Sequence, residues 1–246
     1  MMGRRFAILL TGAVIVLVLQ AQPAWGVSVL YYADHNAGTS AVPGALALEG
    51  LSGSTTTATS TAEFNTQIGS GSWDLVIVGH HNYGSTDEAI ATALQTYLTG
   101  GGKAICASWE GSTLPSMFDA TEVSSNYTTI SNDGHALFDG LGSSVSLSNP
   151  GWGTYARAYN PLGGATGVGP AGSGYAMVIG NGGRTIMSGP LFDTYSPLAD
   201  GERLVGNQID YLLGTGPAPI PEPLTVCGVA FALAGVYGYT RRRRAV

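Results

Sequence analysis

Apolar positions fall along this chain in two rhythms. Val27 to Tyr32 (VSVLYY), Trp73 to Val78 (WDLVIV) and Lys103 to Ala107 (KAICA) are short β-branched and aromatic runs, the pattern of buried strands. Between the last two the period changes. Ile90, Leu94, Tyr97 and Leu98 recur at i, i+4, i+7 and i+8, the stripe of an amphipathic helix, and Gly100-Gly101-Gly102 ends it. Ser60 with Glu63, and Ser85 with Glu88, have capping-box spacing. The first pair predicts a helix through Phe64 and Ile68 that stops at Gly69. Leu46, Leu48 and Leu51 suit a helix from Pro43 to Leu51, and Thr55 to Thr59 reads as a second strand.

The strand-helix-strand run from Trp73 to Ala107 is a βαβ unit of about 35 residues, which implies parallel pairing and a right-handed crossover. Further on, Tyr175 to Ile179 and Arg184 to Met187 flank Asn181-Gly182-Gly183, a hairpin signal. A helix from Gly201 to Leu213 closes the pattern, carrying Leu204, Val205, Ile209, Leu212 and Leu213. Ser112 to Gly174 is Gly- and Ser-rich, and irregular structure with a few added strands is expected there. The alternation predicts an open, parallel α/β sheet covered on both faces.

The two ends follow a different logic. Arg4 and Arg5 precede the uncharged run Phe6 to Leu19, and Ala24 and Gly26 flank Trp25 as a small-x-small site. Residues 1–26 therefore read as a secretory signal, cut by signal peptidase before Val27. Residues 27–213 form the α/β domain and 214–223 a Pro-rich linker that cannot be helical. Residues 224–246 read as a transmembrane helix followed by Arg241, Arg242, Arg243 and Arg244, which hold that end on the cytoplasmic side.

Pro221-Glu222-Pro223, then the apolar segment, then the terminal arginines, resembles the PEP-CTERM sorting signal of Gram-negative bacteria. The resemblance implies processing by an exosortase, at least transient residence in the inner membrane, and release to the cell envelope or exterior. It also implies association with exopolysaccharide.

The stretch from Val27 to Pro223 holds all sixteen acidic residues against four basic ones, a net charge of −12. A body this acidic is not expected to bind nucleic acid by electrostatics. Cys106 is its sole cysteine, because Cys227 lies in the tail, so no disulfide can form within the domain.

The strand Asp74 to Val78, the glycine run into Lys103 to Ala107, the late hairpin and the closing helix resemble a flavodoxin-like architecture. More narrowly, they resemble class I glutamine-amidotransferase-like and trehalose-utilisation (ThuA-like) domains. Enzymes of that class carry their nucleophilic cysteine on a glycine-flanked strand-to-helix elbow, within a Cys-His-Glu triad. Here Ala104 and Ser108 stand around Cys106, and the last histidine is His135, so no His-x-Glu pair follows. A thiol without a base is a poor nucleophile, and Cys106 reads as a core residue. No phosphate loop or dinucleotide glycine fingerprint is present, so no cofactor is expected.

In open α/β sheets ligands bind beyond the carboxyl ends of the strands. There the sequence places Asp34 and His35 after the first strand, His80, His81 and Asn82 after the third, and Ser108, Trp109 and Glu110 after the fourth. Asp34, His35, His80 and His81 could bind a metal, and His35, His81 and Glu110 could serve acid–base chemistry. Trp109 and Tyr83 could stack a sugar. The expectation is a surface protein with a non-catalytic amidotransferase-like domain; the alternative is a secreted hydrolase using His35, His81 and Glu110, with or without a metal.

Overall fold

The structure is a computed structural model that describes residues 26–81, 88–109, 113–151 and 153–214. The signal sequence, the PEP motif, the predicted transmembrane helix and the arginine cluster lie outside the described residues, as do Asn82, Tyr83 and Glu110. Among the described residues no helix is long and apolar enough to cross a membrane.

With elements numbered in chain order, parallel strands β1 (Val29–Ala33), β2 (Thr55–Ala58), β3 (Leu75–His80), β4 (Ala104–Ser108) and β11 (Thr185–Ser188) form one side of a sheet. Their spatial order is β2-β1-β3-β4-β11. The hydrophobic runs sit where they were expected, and β3 and β4 are buried along their whole length. The weak second strand also forms.

Helices cover both faces, because the central strands β3 and β4 are buried on both sides. On one face lie α1 (Val42–Leu48) and the closing helix α5 (Leu198–Leu213), which bury Val42, Ala45, Leu46, Leu204, Val205 and Ile209 with Leu75, Ile77 and Ile105. On the other lie α2 (Thr61–Ser70) and α3 (Glu88–Thr99), whose Phe64, Ile68, Ile90, Leu94 and Leu98 pack on Leu30, Val76, Val78 and Cys106. Ser60 Oγ accepts the Glu63 amide at 3.2 Å, while Glu63 Oε2 reaches back to the Thr59 amide at 2.8 Å. The capping box forms with its return bond one residue early, and the helix runs one residue past Gly69.

The parallel strands carry an antiparallel extension, in which the expected hairpin and the expected added strands both appear. A short helix, α4 (Leu114–Met117), leads into β5 (Ala120–Ser125), β6 (Thr129–Ser131) and β7 (Ser144–Ser146). Then come β8 (Arg157–Pro161), β9 (Thr166–Ala171) and β10 (Gly174–Gly180). β10, β8 and β5 extend the sheet beyond β11 in antiparallel sense, β9 pairs with β10, and β6 with β7 forms a separate ribbon. The region read as largely irregular is thus an antiparallel lobe inserted between the last two parallel strands. The β10–β11 hairpin turns through Asn181, Gly182 and Gly183 at φ of 51°, 67° and 87°. Positive φ at successive turn positions is what Asn-Gly-Gly supplies at low cost.

Candidate functional site

The strand order reverses between β1 and β3, since the chain runs outward to β2 and then crosses back. Such a reversal opens a crevice at the carboxyl ends of the two strands. Asp34 follows β1 directly, and His80 and His81 end and follow β3. Asp34 Oδ2 lies 2.9 Å from His80 Nδ1, and its Oδ1 accepts the His81 amide at 2.7 Å. One carboxylate therefore ties the two strand ends together.

A second carboxylate arrives from beyond β11. Asp193 Oδ2 accepts the amides of Ala37 and Gly38 at 2.7 and 3.0 Å, fixing the loop after β1. A Cβ on Gly38 would stand 2.8 Å from the Asp193 carbonyl oxygen, so this close approach needs glycine. The Phe192 amide donates to His81 Nε2 at 3.4 Å, which assigns the proton of the neutral ring to Nδ1. Burial holds the His81 pKa down at about 4, against the raising influence of Asp193 and Asp34 and with a smaller lowering from His80. His81 is thus a neutral imidazole under ordinary conditions.

His80 is 1% exposed and His81 0%. Both rings were expected to face the crevice; instead both are buried, His81 against Phe192 and Asp193 and His80 against Asp34. His35 remains exposed on the rim, and its backbone contributes a hydrogen bond to His81. Ser108 is buried, and the Trp109 amide donates to the His80 carbonyl at 2.7 Å. Arg157, from β8, donates to the Trp109 carbonyl and pairs with Glu122 of β5, tying the residue that follows β4 to the antiparallel lobe. Among the described residues no group of three or more His, Cys, Asp or Glu is arranged to hold a metal ion.

Cys106 occupies the middle of β4, in register with Val78 and Met187, and is 0% exposed. It lies two residues before the strand ends, not on an elbow beyond it. After β11 the chain reads Gly189-Pro190-Leu191-Phe192-Asp193, with no histidine. His135 is structural: its Nδ1 accepts the Leu137 amide at 3.2 Å and caps the single turn Ala136–Phe138.

Sequence reasoning missed Asp193 and Arg157. Phe192-Asp193-Thr194, four residues beyond the end of the last strand, was the available signal for the first. Nothing in the local sequence of Arg157 marks it.

This mixed sheet, with its order reversal between β1 and β3 and its inserted antiparallel lobe, is similar in fold to solved glutamine amidotransferases. A protein assigned as part of a GMP synthase, from Thermoplasma acidophilum, is similar over 77% of this chain and 96% of its own, with a TM-score of 0.51 and 12% identity. A glutamine amidotransferase from Thermotoga maritima is similar over 76% of this chain and 98% of its own, with a TM-score of 0.52 and 9% identity. At these identities the likeness is one of fold alone. No family model matches the chain, and no curated protein matches it in sequence.

Proposed function

We propose that this chain is an exported protein, processed by signal peptidase and by an exosortase. Its amidotransferase-like domain then acts in the envelope or outside the cell by binding polysaccharide, without catalysis. The observation that carries the non-catalytic reading is the burial of His80 and His81 at the switch point, with Cys106 sealed in mid-strand. A base must come within hydrogen-bond reach of the proton it abstracts, and neither imidazole meets a substrate in this arrangement. The address is supported by the ordered PEP motif, apolar segment and arginine cluster of residues 221–246.

Intact mass of the protein from membrane, envelope and medium fractions of its native host tests the address. A species starting near Val27 and ending near Pro221 is expected. A tail retained through Val246 in every fraction would overturn exosortase sorting. The hydrolase built on His35, His81 and Glu110 requires turnover that a His35→Ala or His81→Ala variant loses; the binding reading expects no such activity.

A further inference from the structure

The faces of α1 and α5 that turn away from the sheet meet the turn at 136–140 in an open groove of about 1030 Å³. Its chemistry differs from that of the switch point. Tyr211 is 40% exposed and Leu48 54%, so an aromatic ring and an aliphatic side chain stand at the groove in contact with solvent. The Tyr211 ring is held 5.6 Å from His135, which is itself fixed as a cap. The aromatic surface is therefore placed before any ligand arrives.

Around it stand planar polar groups. Asn207 Nδ2 donates to the carbonyls of Leu137 and Asp139, both at 2.9 Å, which orients the amide and leaves its oxygen as an acceptor. Glu49, at the end of α1, and Asp210, on α5, are hydrogen-bonded to each other, and Arg203 lies within Coulombic reach of Glu49. The Arg203 guanidinium offers donors, Asp210 and the Asn207 oxygen offer acceptors for sugar hydroxyls, and an aromatic face suits the C–H side of a pyranose ring. An anionic polymer would meet two carboxyls here and a domain (residues 27–213) of net charge −11.

We propose that this groove binds a neutral saccharide chain, with Tyr211 as the stacking face and Arg203, Asn207 and Asp210 hydrogen-bonding the hydroxyls. The inference rests on the polysaccharide reading above and gives it a site.

The test is affinity electrophoresis of the full chain in detergent micelles through gels containing dextran, a soluble β-glucan, galactomannan or alginate. At least one neutral polymer should retard the protein and alginate should not. Tyr211→Ala and Arg203→Ala should each weaken that binding by about tenfold or more, while Tyr211→Phe keeps it. Both side chains are exposed at the surface, and far-UV circular dichroism checks that each variant is folded. Retardation unchanged in both alanine variants would overturn the groove and leave the polysaccharide reading standing. No retardation of the wild type by any neutral polymer would overturn both. Preference for alginate would overturn selection for a neutral chain.

Discussion

His81 Nδ1 stands 3.9 Å from Asp193 Oδ1, with neither side chain reaching solvent. The imidazole belongs to the end of a central strand and the carboxylate to the loop after the last parallel strand. The pair therefore joins the two ends of the crevice wall, and it does so with a neutral ring.

That neutrality makes stability pH-dependent. The native His81 pKa, at about 4, lies below the ordinary 6.5, so the unfolded chain takes up the proton first as pH falls. The contribution is fully present above pH 6.5, is lost between pH 6.5 and 4, and is constant below. Its size is about 3 kcal/mol. Urea unfolding of wild type and His81→Asn at pH 7, 5.5 and 4 checks it: the difference between them should shrink as pH falls. A constant difference would show that folding does not lower the His81 pKa.

Glu49 acts in the opposite sense. Burial, then the hydrogen bond to Asp210 and its charge, raise its pKa from 4.5 to about 7, with Arg203 opposing. Between pH 4.5 and 7 the native state holds a proton that the unfolded chain releases, so stability falls as pH rises through this range and levels off above it. The group is partly exposed, and solvent screening reduces the effect to about 1 kcal/mol. Glu49→Gln should be more stable than wild type at pH 8 by that amount and no more stable at pH 4. Thermal unfolding at the two pH values measures the difference.

How much of this was legible beforehand follows from where each signal resides. The strands containing Val76 and Ile105 are buried on both faces, so their apolar runs announced them, and Asp34 and His80 were placed at strand ends by position alone. The antiparallel lobe was harder to read. β6 and β7 bury one residue each, Ile130 and Val145, among serines and threonines, which leaves almost no periodic signal. The burial of His80 and His81 was hidden for another reason. Two histidines after a glycine look like a polar loop, and the Asp193 carboxylate beside His81 also holds Ala37 of the loop after β1, across 156 positions of sequence.

Cys106 gives a chemical check on the register of the central sheet. A thiol in mid-strand, with Val78 and Met187 beside it, is shielded from reagents until the sheet opens. Iodoacetamide should leave Cys106 unmodified in the native chain and alkylate it fully in 6 M guanidinium. Peptide mapping separates it from Cys227. Native-state modification at a rate within about tenfold of a small-molecule thiol would place Cys106 at an accessible elbow instead, and would reopen nucleophilic chemistry at that position.

Gly189 joins the parallel and antiparallel halves of the sheet. Its carbonyl accepts the Arg157 amide at 2.9 Å, and its own amide donates to the Ala176 carbonyl at 2.7 Å. A Cβ there would collide with the Arg157 carbonyl oxygen and stand 2.7 Å from the Tyr127 hydroxyl and 2.9 Å from the Ala176 carbonyl oxygen. Two of those three neighbours are backbone, which cannot swing aside as a side-chain tip can. Gly189→Ala should therefore destabilise the protein by about 3 kcal/mol or more, at the upper end for overpacking. Gly164→Ala, where nothing lies within 4 Å of the added carbon, should cost well under 1 kcal/mol. Chemical denaturation of the two variants side by side measures the contrast. Equal stabilities would mean that β8 and β11 lie farther apart than this junction requires, and that Arg157 is not anchored to the parallel half of the sheet.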